Sequence, residues 1–301
     1  MKILVTGATG LIGKVIIRKA LKKGYKVNFL TSEKSKINSI PGGEGYYWKP
    51  IKGIIDLNAF KGVTHLINLA GESISGRWTS RYKNQIIESR VLSANLISNA
   101  LIDLQINLKG IISASAIGYY SDSNKLFDES DLCVPETFLQ KVVEKWENSI
   151  SELEIYTQNL SIVRIGLVIS DMGGILSKIA PPIKFCLGSA FGSGKQWQSW
   201  IHIDDICEIF LHIIENNIKG VINGVAPNPI TQNELIKYLA DFLDKPLIFP
   251  NVPKLLIKLL LSERSELLLS SHKVSSKKIE RTGYKFRYPL FKNAIDNFKV
   301  K

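Results

Sequence analysis

Three glycines spaced three apart, Gly7, Gly10 and Gly13, follow directly on a run rich in β-branched residues from Ile3 to Thr6 and lead into an amphipathic pattern that begins at Leu11. The spacing predicts a strand, a tight turn and a helix start within the first thirteen residues. Glycine is required where a backbone turns with positive φ or presses against a ligand or another element. A helix opening at Leu11 offers N–H groups without intrahelical partners and the positive end of its dipole. An anion belongs there. The strand–loop–helix context makes a dinucleotide pyrophosphate its expected source, with Gly7, Thr9, Gly10, Leu11, Ile12 and Gly13 as contacts. The alternative is a tight βα turn with no ligand.

Further apolar strands are expected at Tyr25 to Thr31, Thr64 to Ala70, Lys109 to Ser115 and Leu160 to Ile169, separated by helical patterns. Such alternation specifies an α/β fold, a Rossmann-type doubly wound parallel sheet. The helix from Arg81 to about Leu104 carries Ile86, Ile87, Val91, Leu92, Leu96 and Ile97 at a period near 3.6, and Phe138 to Ile155 is similar. After Ser170 the pattern changes to a Gly- and Pro-rich aromatic stretch through Trp200. A helix from Asp204 to Asn216, a short strand near Val221 and further helices follow. The expected division is a nucleotide-binding domain over 1–170 and a smaller, mostly helical substrate module or lid over 171–301, with later strands returning to the first domain.

The chain has 301 residues, 45% of them hydrophobic and 22% charged, enough for one large α/β domain with an appendage. No run of about 18 uncharged apolar residues occurs, and Met1 leads directly into a strand, so a cytoplasmic protein is expected. Cys133, Cys186 and Cys207 are far apart and lack metal-ligand spacing, so no disulfide, redox or zinc site is expected. The net charge of +12 comes from lysines spread along the chain and far outnumbering arginines. A solvated surface is the expectation, with neither nucleic acid nor membrane as partner.

These residues resemble the extended, atypical short-chain dehydrogenase/reductases of the NAD-dependent epimerase/dehydratase type. The resemblance rests on Thr6-Gly-Ala-Thr-Gly-Leu-Ile-Gly13, Asn68-Leu-Ala-Gly-Glu72, Arg77-Trp78, Ser89-Arg90, Ser113-Ala-Ser-Ala-Ile-Gly-Tyr-Tyr120, Lys145-Trp-Glu147, Gly192-Ser-Gly194, Ser199-Trp-Ile-His-Ile-Asp-Asp205 and Gly224-Val-Ala-Pro227. Together these are similar to the "epimerase family protein" subgroup, which has its own C-terminal domain. The resemblance spans essentially the whole chain. It implies a nicotinamide coenzyme and a small-molecule substrate, and it allows a homodimer paired through the two long helices.

NAD sites usually place an acid after the second strand to bond the ribose 2′-hydroxyl, whereas NADP sites remove it and add positive charge. Here the segment is Leu30-Thr31-Ser32-Glu33-Lys34, with Glu33 one position too late. Thr31 and Ser32 can donate to a phosphate and Lys34 or Lys36 can neutralise it, so NADP(H) is favoured over NAD(H). The subgroup usually has arginine where this chain has Ser32, which departs from the pattern. Leu69, Ala70 and Gly71 lie where open α/β sheets bind ligands, and Ser113 belongs to the active-site strand. By resemblance Gln85 and Arg90 are candidate cofactor contacts; Arg90 reads equally as a surface charge.

The superfamily pairs its active-site serine with Tyr-x-x-x-Lys on the following helix, the tyrosine shuttling a proton and the lysine lowering its pKa. Anchored on Ser115 and Lys145-Trp-Glu147, the comparison puts Phe138 and Val142 at those two positions, and neither moves a proton. Lys141 is displaced by one residue, about 100° around a helix. Ser115 survives as a catalytic candidate, with Tyr120 ahead of Tyr119 as phenols beyond the strand end and Glu72 as another base or a cap. Trp197 and Trp200 suggest a flat, partly apolar substrate or simple packing. His202 and Asp204 do not make a metal site, and Asp204 reads as a helix N-cap. Two classes of function remain. One is an NADP(H)-dependent oxidoreductase or isomerase of an unidentified small molecule. The other is a cofactor-binding redox sensor or interaction protein without turnover, to which the cell-division label of some relatives would belong.

Overall fold

Apolar strands alternating with amphipathic helices give an α/β chain in the computed structural model, which describes residues 1–300. The first elements are β1 (Lys2–Thr6), α1 (Leu11–Lys22), β2 (Lys26–Thr31), β3 (Gly43–Lys49), β4 (Ile54–Ile55), β5 (His65–Asn68), α2 (Ser80–Asp103), β6 (Gly110–Ala116) and β7 (Ser123–Phe127). Next come α3 (Phe138–Ser151), β8 (Leu160–Ile165), β9 (Leu167–Ser170), β10 (Gly173–Gly174), α4 (Leu176–Lys184), β11 (Trp197–Gln198), β12 (Trp200–His202), α5 (Ile203–Glu215) and β13 (Gly220–Gly224). The chain continues with β14 (Ile230–Thr231), α6 (Gln232–Phe242), α7 (Lys254–Leu261), α8 (Glu266–Leu269), β15 (His272–Val274), α9 (Lys277–Arg281) and α10 (Phe291–Asp296).

Two compact units result. One comprises residues 1–119, 134–164 and 207–222; the other comprises 120–133, 165–206 and 223 onward. They interleave instead of dividing the chain at 170. β13 is needed beside β8 at the edge of the large sheet, so the chain returns to it late. The strand expected over Leu160 to Ile169 is correspondingly two strands. β8 enters the large sheet, and β9 joins β10 and β12 in a three-stranded one.

The large sheet has the order β13-β8-β6-β5-β1-β2-β3-β4. β1 pairs in parallel with β2 on one side and β5 on the other, making the topological switch point beside β1, where open α/β sheets bind ligands. Its middle strands are buried on both faces: Ile3, Leu4, Val5, Phe29, Leu66, Ile67 and Ile111 are inaccessible. Thr79 caps α2, accepting from the Tyr82 N–H at 3.2 Å, and a Thr137/Gln140 capping box starts α3.

The second unit is less helical than expected, because it also holds the three-stranded sheet and a four-stranded one ordered β14-β11-β15-β7. Its core gathers Trp200, Ile230, Leu235, Leu239, Phe291 and Ile295. Asp205, 2% exposed, anchors the segment before α10 by accepting from the Tyr284 hydroxyl at 2.9 Å and the N–H groups of Arg287 and Tyr288 at 2.8 and 3.0 Å.

Candidate functional site

The carboxyl ends of β1, β2, β3 and β5 open on a groove of about 400 Å³ in the first unit. Beneath it lie three polar residues on neighbouring strands: Thr6 and Asn68 at the ends of β1 and β5, and Ser113 beside Asn68 in β6. The Thr6 hydroxyl donates to Asn68 Oδ1 at 2.7 Å and accepts from the Leu69 and Ala70 N–H groups, while Asn68 Nδ2 donates to Ser113 Oγ at 3.2 Å. All three are buried, so every exchange with solvent is replaced by an internal bond. Sequence reasoning named Ser113 as a cofactor contact and gave Thr6 and Asn68 no site role.

Two glycines of the loop are there for space. Gly7 has φ +63°, and a Cβ on it would lie 2.5 Å from the Leu69 carbonyl oxygen. A Cβ on Gly13 would lie 2.4 Å from the Gly7 carbonyl oxygen. The loop is therefore drawn tightly against α1, whose first turn has no side-chain cap and leaves its N–H groups to face an anion. This cradle fits a dinucleotide pyrophosphate.

Of the residues expected to hold a cofactor, Gly7, Thr9, Thr31, Ser32, Ala70, Gly71 and Gln85 line the groove, as does Glu72. Gly10, Leu11, Ile12 and Gly13 form the turn behind it, Leu69 lies under Gly7, and Ser113 is buried in the floor. Arg90 is not among the lining residues. Its Nη1 donates to the Glu72 and Ile86 carbonyls at 3.1 and 2.8 Å, its guanidinium stacks 4.8 Å from the Trp146 ring, and a Cβ on Gly71 would touch it. Nε of Arg90 has no hydrogen-bond partner, and burial lowers the guanidinium pKa to about 10. Arg90 thus braces the Gly71–Glu72 turn from behind.

Sequence reasoning did not identify Leu30, Trp48, Lys49, Pro50, Ile51, Glu88, Ser89 or Ser93 as lining residues. Lys49 is the one cation among the described residues that line the groove. Lys34 and Lys36, expected to supply charge, are engaged elsewhere: Lys34 Nζ sits 5.3 Å over the Tyr47 ring, and Lys36 pairs with Glu33 at 2.6 Å. The apolar–lysine–proline end of β3 beside the end of β2 was the available signal.

The other end of the carboxyl edge, beyond β6 and β8, is filled by side chains. Ser115 Oγ donates to Glu147 Oε1 at 2.5 Å. Glu147 also receives Arg164, Nε to Oε1 at 2.9 Å and Nη2 to Oε2 at 2.8 Å, and Arg164 lies 3.4 Å from the centroid of the Tyr119 ring. Ser115, Glu147 and Arg164 are all buried. With its proton directed at a carboxylate, the Ser115 hydroxyl has only acceptor capacity left. On α3, Val142 is buried, whereas Phe138 packs edge-on to Trp78 at 4.9 Å beneath Lys83.

Three expectations change. Tyr120, placed ahead of Tyr119, is 1% exposed in the second unit; its hydroxyl donates to Asn223 Oδ1 at 2.8 Å and its ring stacks on Phe127. That burial removes it from a solvent-facing pocket and puts Tyr119, half-buried under Arg164, first. Trp200 is core, fully buried with Nε1 donating to the Asn228 carbonyl at 2.8 Å, while Trp197 is half-buried beneath Lys273. Asp204 is not an N-cap: α5 begins at Ile203, and the Asp204 N–H donates to His202 Nδ1 at 3.1 Å. Among the described residues no cluster of His, Cys, Asp or Glu could hold a metal ion.

The fold and groove define a Rossmann nucleotide-binding protein. Residues 3–137 match the NAD dependent epimerase/dehydratase family, and residues 252–298 match a domain of unknown function (DUF1731). Epimerase family protein SDR39U1 homolog, chloroplastic, of Arabidopsis thaliana is 33% identical over 98% of this chain and 86% of that protein. Epimerase family protein SSP1921 of Staphylococcus saprophyticus is 33% identical over 98% of both. The crystal structure of human epimerase family protein SDR39U1 (isoform 2) with NADPH superposes with a TM-score of 0.86 at 26% identity, over 100% of both chains. The chain belongs to this epimerase family.

Proposed function

We propose that the protein is an NADP(H)-dependent oxidoreductase or isomerase of a small molecule. The observation that carries the reading is the glycine cradle at the switch point, where Gly7 and Gly13 leave no room for a side chain and Gly7 and Thr9 line the groove just ahead of α1. The coenzyme would supply the hydride chemistry; Gly7 and Thr9 would hold its diphosphate and Thr31 and Ser32 its adenosine end. NADP(H) is preferred over NAD(H) on three grounds. No acid ends β2, Lys49 adds positive charge to the groove, and the human relative was crystallised with NADPH. Ser115, an acceptor through its bond to Glu147, would orient a substrate hydroxyl, with Tyr119 as the neighbouring phenol.

A second reading is favoured by Phe138 and Val142, neither of which moves a proton: a coenzyme-binding sensor or interaction protein without turnover. A screen of carbonyl and alcohol metabolites for NADPH oxidation or NADP reduction separates the two. The first reading expects turnover that Ser115→Ala lowers at least about tenfold at unchanged NADPH affinity. Tight NADPH binding with no turnover on any of these compounds would favour the second.

A further inference from the structure

The second unit carries an apolar surface that the chemistry above does not use. α7 is anchored by Ile257, which is 4% exposed. On its opposite side Leu255 and Leu259, one turn apart, are each 80% exposed, and Leu256 and Leu260 beside them are 45% and 71% exposed. Lys254 and Lys258 run along the other flank of that leucine stripe, both exposed.

The segment leading into α7 extends the surface. The Val252 N–H donates to the Ala190 carbonyl and the Gly192 N–H to the Val252 carbonyl, both at 2.8 Å, so residues 190–192 run beside 252. A Cβ on Gly188 would lie 3.0 Å from Leu247. In the two segments so joined, Phe185, Ile248 and Phe249 are 78%, 67% and 51% exposed. A concentration of large apolar side chains on this scale marks an interaction surface, unlike apolar residues scattered singly.

We propose that this surface lies on an anionic lipid bilayer, with α7 in the plane of the headgroups. Charge selects that occupant. Residues 184–192 and 244–261 contain four lysines, Lys184, Lys245, Lys254 and Lys258, and a single acid, Asp244. Leucine and phenylalanine facing outward beside lysine is the composition of an interfacial helix, whose apolar side enters the acyl boundary while its cations meet anionic headgroups. Pairing with a second copy would instead bring together two chains of net charge +12 and their lysines. The sequence-based expectation of no membrane partner rested on lysines spread along the chain as a solvated surface, whereas the lysines of these two segments share them with exposed apolar side chains. No helix among the described residues is long and apolar enough to cross a membrane, and none is needed to lie on one.

Flotation of the full chain with phosphatidylcholine vesicles, with and without phosphatidylglycerol, tests this apart from any coenzyme. The expected result is binding that rises with phosphatidylglycerol and falls as salt is raised. It should drop at least about tenfold in a Leu255→Ser/Leu259→Ser variant, and Lys254→Glu/Lys258→Glu should abolish the dependence on phosphatidylglycerol. All four positions are exposed, so unchanged circular dichroism is expected in both variants. The proposal is overturned by failure to float with either vesicle, by flotation that the leucine variant leaves unchanged, or by a dimer in light scattering that this variant dissolves without any vesicle binding.

Discussion

The two ends of the large sheet's carboxyl edge were built for opposite ends. Beside β1 and β2 the backbone is pared to glycine, and the Thr9 and Ser32 side chains line an open groove. Beyond β6 and β8 the space is occupied by Ser115, Glu147 and Arg164, which satisfy one another. A ligand site declares itself by room and unspent hydrogen-bonding capacity, whereas a paired, buried network declares structure first. The contrast explains why the coenzyme reading stands on firmer physical ground than any assignment of a proton shuttle.

The largest expected effect is at the filled end. Glu147→Ala leaves Arg164 buried without its anion and Ser115 without its acceptor, so unfolding free energy should fall by about 3–5 kcal/mol in urea titration. A loss within experimental error would mean the network is not the closed structure described. At the open end, Gly13→Ala should weaken NADPH binding by about a hundredfold, because the new Cβ meets the Gly7 carbonyl and displaces the cradle. Unaltered affinity in a correctly folded variant would show that the loop does not hold the coenzyme.

These two regions differ equally in how far the sequence exposes them. The cradle is local: strand, glycines and helix are consecutive, so their roles can be read from spacing alone. The Ser115–Glu147–Arg164 network joins β6, α3 and β8, and no local pattern says that a motif glutamate will accept the proton of a motif serine. β3 was likewise invisible, since Gly43-Glu-Gly-Tyr-Tyr-Trp-Lys49 lacks clear alternation and ends at a proline, and with it went Trp48 and Lys49 in the groove. The interleaving of the units depends on which edge β13 joins, which is a property of the assembled sheet.

A subtler change at the open end concerns coenzyme choice. Ser32→Asp would restore the acid that bonds a ribose 2′-hydroxyl and would repel a 2′-phosphate, so the ratio of NADPH to NADH affinity should fall about tenfold or more. A ratio that does not move would place the adenosine end elsewhere in the groove.

The smallest effect lies away from both ends, where α1 and the start of β2 meet the end of α5. Burial alone would raise the Glu215 carboxyl, but hydrogen bonds from Lys23 at 2.8 Å and Tyr25 at 2.7 Å outweigh it and hold it below the usual carboxylate range. A depressed folded-state pKa contributes stability above the unfolded value and loses it as pH falls through the folded one. Glu215→Gln should therefore lower unfolding free energy by on the order of 0.2–1 kcal/mol for so exposed a cluster above the ordinary carboxylate range, a difference that vanishes as pH falls below that range. An identical pH dependence in both proteins would show the cluster to be inert.

The open end's purpose is tested most directly by calorimetric titration of the purified, folded protein with NADPH and NADH in turn. The account predicts saturable heat with both, tighter for NADPH. No heat with either reduced coenzyme would contradict it.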